Sequence, residues 1–300
     1  MSQAPASDFS EPFDAEFLSR LERLHLASRR IFSGRLHALH VSRRLGTGLE
    51  FADHRPYAPG DDLRLLDWNL YARGERLYTK LFRQEEDHNL FFLVDCSASM
   101  ATEKQKWDCA RRLAAALAYI GLYEMDRVYL CGFAEGLIMS RRALRGRRAV
   151  MEALHALASL RAGGKTDMRR TARDFVGRFG ALEGMVLIFS DGMDLEGTPP
   201  ALDVLFRAGF EVLMLHVITP AEANPSLLGE WRLADPEGGR PHTVHLTRRL
   251  LARYRQAFVE HSARLRRHLV SRHGAYVRVS SDTPLEELIL RELRAGHLLG

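Results

Sequence analysis

Asp95, Ser97 and Ser99 occupy alternate positions in Asp95-Cys96-Ser97-Ala98-Ser99-Met100, directly after the apolar run Leu90-Phe91-Phe92-Leu93-Val94. A strand ending there puts a carboxylate at its tip and two hydroxyls in the turn that follows. Two further stretches carry matching groups: Gly163-Gly164-Lys165-Thr166-Asp167, and Ser190-Asp191-Gly192 at the end of the apolar segment that starts at Met185. Together Asp95, Ser97, Ser99, Thr166 and Asp191 make a hard-oxygen set with neither thiol nor imidazole, which suits Mg²⁺, Mn²⁺ or Ca²⁺ far better than Zn²⁺. Hydroxyls and waters would carry much of that shell, so the ion would stay poorly neutralised and accept one more carboxylate from a partner. The plainer alternative is that these Ser and Asp side chains only cap the helices that follow the strands.

Such loops meet only if the strands before them lie side by side. From residue 88 onward apolar runs alternate with helical periodicities. The pattern predicts strands at Leu90–Asp95, Arg127–Phe133, Met185–Ser190, Glu211–Val217 and Tyr276–Val279. It predicts helices at Lys104–Glu124, Arg147–Leu160, Met168–Phe179, Pro200–Ala208 and Thr247–His273, with a last helix from Pro284. Buried β-branched runs that alternate with helices imply an α/β fold with a doubly wound, mainly parallel sheet. In such sheets ligands sit at the carboxyl ends of the strands, where all three loops fall. The Pro- and Gly-containing stretch near 219–244 interrupts the alternation and reads as an insertion over the sheet edge or the site.

Before residue 88 the texture differs. Residues 1–13 read as a flexible tail without the positive and apolar regions of a secretory signal, which predicts a cytoplasmic protein. Asp14–Ile31 places Phe17, Leu18, Leu21 and Leu24 between charges, the pattern of an amphipathic helix. Gly34–Glu86 is broken by Gly46, Gly48, Pro56, Pro59, Gly60 and Gly74, as in a small β-rich subdomain. The predicted division is therefore 14–88 for the helix and this subdomain, and 89–300 for the α/β domain. The longest uncharged stretches, such as Leu113–Tyr123, are too short to cross a bilayer. Cys96, Cys109 and Cys131 are odd in number and lack C-x-x-C spacing, so they suggest neither a disulfide framework nor a zinc site.

Enzyme readings meet missing residues. A phosphatase of the haloacid dehalogenase type needs an Asp at position 97, where this chain has Ser. The chain has no G-x-S-x-G elbow, no G-x-x-x-x-G-K-[ST] loop and no His-Glu-x-x-His helix. A metal-dependent hydrolase using Asp95 and Asp191 stays as one alternative. A nucleic-acid module is another, built on helix 247–273, whose eight arginines from Arg248 to Arg272 face Glu260 alone. No aromatic interleaving accompanies that charge, and no nucleic-acid partner is expected. Of the 13 histidines, His37, His40, His261 and His268 read as surface or packing residues. The net charge of +5 rests on 43 basic residues, only four of them Lys, and by itself identifies no partner.

The order D-x-S-x-S, G-G-x-T, S/T-D-G resembles the metal-ion-dependent adhesion site (MIDAS) of von Willebrand factor A-like domains. Upstream, Arg55-Pro56-Tyr57-Ala58-Pro59-Gly60-Asp61-Asp62-Leu63-Arg64, then Asp67-Trp68, Arg73 and Glu85, closely resembles the signature of the domain of unknown function 58 family. The resemblance implies a bacterial or archaeal, non-catalytic protein in which a small N-terminal region precedes a von Willebrand factor A-like domain. It also implies work beside a MoxR-type AAA+ ATPase, with a client protein donating an acidic residue to the metal in a chaperone-like assembly. The roles of the signature residues are open. Pro59-Gly60 suits a tight turn, Asp61 or Asp62 a cap, and Trp68 with Tyr57 a local apolar anchor. Arg55, Arg64 and Arg73 against Asp61, Asp62, Asp67 and Glu85 fit an internal ion-pair network or, failing that, a phosphate or partner site.

Overall fold

The computed structural model describes residues 13–32, 41–46, 50–74, 76–85, 88–140, 142–238 and 241–295. His37, His40 and nearly all of the predicted tail lie outside them. Backbone contacts divide the chain into two compact units, one of residues 31–87 and one that joins the N-terminal helix to the residues from His88 onward.

In the larger unit, strands β4 (Asn89–Asp95), β5 (Arg127–Phe133), β6 (Leu137–Ser140), β7 (Leu144–Arg145), β8 (Met185–Ser190), β9 (Glu211–Ile218) and β12 (Ala275–Ser280) form one seven-stranded sheet. Its order is β12-β9-β8-β4-β5-β6, with β7 also on β5. The ladders from β12 to β5 are parallel, and only β6 and β7 run antiparallel. Helices α3 (Lys104–Tyr123), α4 (Val150–Ala158), α5 (Met168–Phe179), α6 (Thr198–Arg207), α8 (Arg248–Val270) and α9 (Leu285–Ala295) fall between or after the strands. The central strands β4, β8 and β9 are buried on both sides, which is why their sequences are continuous apolar runs. Phe91 and Leu93 pack with Val186, Ile188 and Met214 under α5, α6 and α8, through Phe175, Leu205 and Leu265. The alternate residue Phe92 stacks on Phe189 on the opposite face.

The first helix, α1 (Ala15–Phe32), corrects the predicted grouping. It belongs to the larger unit, burying Phe13, Phe17, Leu21 and Leu24, with Arg112 of α3 over the Phe17 ring and Arg20 paired to Glu286 of α9. Amphipathic spacing says that a helix has an apolar face and is silent on what covers it. The insertion contains a four-residue helix, α7 (Pro220–Ala223), and an antiparallel ribbon of β10 (Gly229–Leu233) with β11 (His242–Leu246) that stays outside the main sheet.

The smaller unit holds a three-stranded antiparallel sheet of β1 (Val41–Gly46), β2 (Glu50–Pro56) and β3 (Tyr78–Glu85), with β3 central, and the short helix α2 (Trp68–Gly74) between β2 and β3.

Candidate functional site

The chain passes from β4 to β5 on one side of the sheet's centre and later returns to place β8 on the other. At such a reversal the loops leaving neighbouring strands diverge and open a crevice, and Asp95 and Ser190 end the two strands concerned. Asp95 is fully buried. Its Oδ1 accepts the Ser97 N–H at 2.9 Å and its Oδ2 accepts the Ser190 hydroxyl at 2.6 Å. The Ser99 hydroxyl donates to Asp191 Oδ2 at 2.8 Å, so the 3.0 Å contact between Ser97 and Ser99 has Ser97 as its donor, because a hydroxyl has a single proton. Asp95, Ser97, Ser99 and Asp191 thus sit at one rim of the sheet in two short hydrogen-bonded chains. Burial first, and then Asp191, pushes the Asp95 carboxyl well above its ordinary value.

Thr166 arrives on a loop tied to the first by backbone bonds, Gly163 N–H to Cys96 O at 2.7 Å and Ala98 N–H to Gly164 O at 3.0 Å. Its own groups turn to a residue that the spacing does not reveal. The Thr166 hydroxyl donates to Glu237 Oε1 at 2.9 Å and its N–H to Glu237 Oε2 at 3.2 Å. Beside it, Lys165, Arg169 and Arg170 line an open polar pocket of about 580 Å³ with Glu135, Asp194 and Glu196.

Lys106 is the largest surprise. Its side chain is buried, and its ammonium has three acceptors for three protons: Asp191 Oδ2 at 2.7 Å, Glu222 Oε1 at 2.6 Å and Ser99 O at 3.2 Å. Burial alone would lower its pKa, yet Asp191 and Glu222 outweigh that and raise it, so the lysine is charged. Glu222 is held by a capping box in which Thr219 N–H donates to Glu222 Oε2 and Glu222 N–H to the Thr219 hydroxyl. Lys106 is not among the residues that spacing singles out; the one signal that could have found it is a lysine on the helix face shared with Ala110, Leu113 and Ala114, which says that it is buried but not what it meets.

Two histidines hold the Asp191 loop. His216 Nε2–H donates to Asp191 O at 2.7 Å, and its Nδ1 accepts the Tyr276 hydroxyl at 2.6 Å. His261 Nε2–H donates to Gly192 O at 3.0 Å. Burial keeps both neutral, pushing His216 down to about 4 and His261 below its ordinary value. His261 is thus a packing residue, as its position on a helix suggested, but one packed directly behind the site.

The signature segment builds local structure within the smaller unit. Asp61 accepts the Ala58 N–H and pairs with Arg55 across a turn whose Gly60 has φ +105°. Asp62 caps the turn Leu63–Leu65 and pairs with Arg64. Asp67 departs from the expected arginine network: Oδ1 accepts the Asn69 and Leu70 N–H groups, while Oδ2 meets His54 at 2.8 Å and Lys80 at 3.7 Å. Trp68 is 62% exposed and lies edge-on to Tyr71 at 6.2 Å, which corrects the anchor expected with Tyr57. Tyr57 is half-buried, Arg73 is exposed, and the Glu85 side chain lies outside the described residues.

Among the described residues, no group of three or more His, Cys, Asp or Glu is placed to hold a metal ion, and no helix is long and apolar enough to cross a membrane. The model of the family "Protein of unknown function DUF58" matches residues 53–266. An uncharacterized protein of Mycobacterium tuberculosis is 26% identical over 232 residues, which is 75% of this chain and 73% of that protein. Two crystal structures are similar at lower identity. The conserved hypothetical protein BatB from Bacteroides thetaiotaomicron is 16% identical, with a TM-score of 0.44 over 69% of this chain and 98% of that one. An aerotolerance-related membrane protein from Bacteroides fragilis is 18% identical, with a TM-score of 0.41 over 69% of this chain and 99% of that one.

Proposed function

This chain belongs to the DUF58 family of proteins of unknown function, and from that premise we propose that it is a non-catalytic, divalent-metal-dependent protein-binding module of the von Willebrand factor A-like type. The observation that carries the reading is the set of oxygen donors at the tips of β4 and β8. Asp95, Ser97, Ser99 and Asp191 are bonded in short chains there, and with Glu222 the neighbourhood holds three acidic side chains beside the single ammonium of Lys106, with Asp95 pushed by burial and by Asp191 toward its protonated form for want of a nearby positive charge. A hard cation fits this chemistry, since it would supply the missing positive charge and replace hydrogen bonds with ligation. Asp95, Ser97, Ser99, Thr166 and Asp191 would hold Mg²⁺, Mn²⁺ or Ca²⁺, and when bound the ion supplies a positive centre that attracts an outside carboxylate. Lys106, His216 and His261 position the Asp191 loop for this role.

The hydrolase alternative finds less support. Both oxygens of Asp95 and both of Asp191 already accept hydrogen bonds, and the two carboxylates are buried. What favours the binding reading over the hydrolase is that the buried carboxylates are held in place by these bonds, with no nucleophile or proton donor of their own aimed at an open cleft. The partner we propose is a MoxR-type AAA+ ATPase in the cytoplasm, with the chain as its adaptor to an acidic client. The test is capture of that ATPase by the tagged chain in Mg²⁺, in EDTA, and with Asp95→Ala. Capture should fall at least about tenfold in both of the latter. Capture indifferent to chelator and substitution would place the contact elsewhere and end this reading.

A further inference from the structure

Glu237 comes from the turn of the β10–β11 ribbon and reaches 71 residues back along the chain to Thr166, offering one carboxylate oxygen to the hydroxyl and the other to the N–H. The turn that aims it is well specified. Asp235-Pro236-Glu237-Gly238 has Asp at its first position, Pro at its second and Gly at its fourth, with the Gly238 N–H bonded to Asp235 O at 3.1 Å. The Asp235 carboxylate accepts the Glu237 N–H at 2.9 Å. Gly238 has φ +102°, which a side chain would strain, and the Lys165 stem lies 3.6 Å from where its Cβ would be. By contrast, the ribbon behind this turn is a two-stranded element outside the main sheet, with Trp231 and Leu233 exposed. A lone two-stranded ribbon is marginal without further anchoring.

We propose that Glu237 is a built-in competitor: held on Thr166, one of the residues that would hold the ion, its carboxylate plays there the part that a partner's carboxylate would play, so that a partner must displace this turn to engage the site. The inference rests on the metal-site reading above. It makes the Asp235–Gly238 turn a strap on Thr166, released when a partner's carboxylate, drawn to the ion, takes over from Glu237.

The experiment compares the wild-type chain with Glu237→Ala and Glu237→Gln in Mn²⁺, using as probe the peptide acetyl-Gly-Glu-Gly-amide and its Gln twin. Glu237→Ala should bind the Glu peptide about tenfold more tightly than wild type, because the share of chains in the competent state limits apparent affinity. Glu237→Gln should fall between them, and the Gln peptide should bind none of the three. Amide exchange at Thr166, read without metal, should be faster in Glu237→Ala. Mn²⁺ binding with no gain in peptide affinity, or unchanged exchange at Thr166, overturns the strap and leaves the metal site standing. If neither wild type nor Glu237→Ala binds Mn²⁺, the metal-site reading falls and the strap falls with it.

Discussion

Lys106 meets Asp191 where both side chains are 1% exposed, whereas Arg64 meets Asp62 with its own side chain 88% exposed. Both are cation–carboxylate pairs in contact at 2.7 Å, yet their surroundings give them different work. Solvent screens the Arg64 pair and hydrates either partner when the other is removed, so it adds little beyond shaping its turn. Lys106 and Asp191 are both buried, and removal of the ammonium leaves Asp191 buried and uncompensated. Contact distance therefore does not rank these pairs; burial does. A neighbourhood that can hold carboxylates out of water only against a cation is also the one that a metal ion could enter.

The largest effect should come from Lys106→Met. It keeps the bulk of the side chain and deletes the ammonium, and denaturant unfolding should show a loss of roughly 3–5 kcal/mol. Added Mn²⁺ should return part of that loss if a second cation can take over the neutralising role. A loss below about 1 kcal/mol would equate this pair with the exposed ones and undo the comparison.

Asp67→Ala should come next. It removes the acceptor for two N–H groups at the start of α2 and the partner of His54, and the transition of the smaller unit should fall by about 4–8 °C. Arg64→Ala should change that transition by about 1 °C at most, at low and at high salt alike. A larger or strongly salt-dependent change would mean that the signature ion pairs act as a network.

Much of the larger unit was legible because its central strands are buried on both faces and so appear as unbroken apolar runs such as Leu90–Val94 and Val212–Leu215. Asp95, Ser97, Ser99 and Asp191 were legible for a related reason, since each sits at or just after the end of such a run. Lys106, Glu222 and Glu237 were not. Their bonds span 85, 116 and 71 residues, and only the order of strands and the reach of the insertion bring them to the site. Trp68 misled because a tryptophan between turns reads as an apolar anchor, whereas here it stays exposed beside Tyr71.

The most direct test of the central claim is a Mn²⁺ titration by calorimetry on the wild-type chain, on Asp95→Ala and on Ser97→Ala/Ser99→Ala, each first shown to be folded. The account predicts a single saturable site in the wild type that is absent from both variants, because every donor lost lies in the same pair of hydrogen-bonded chains. The same titration curve in all three proteins would contradict it.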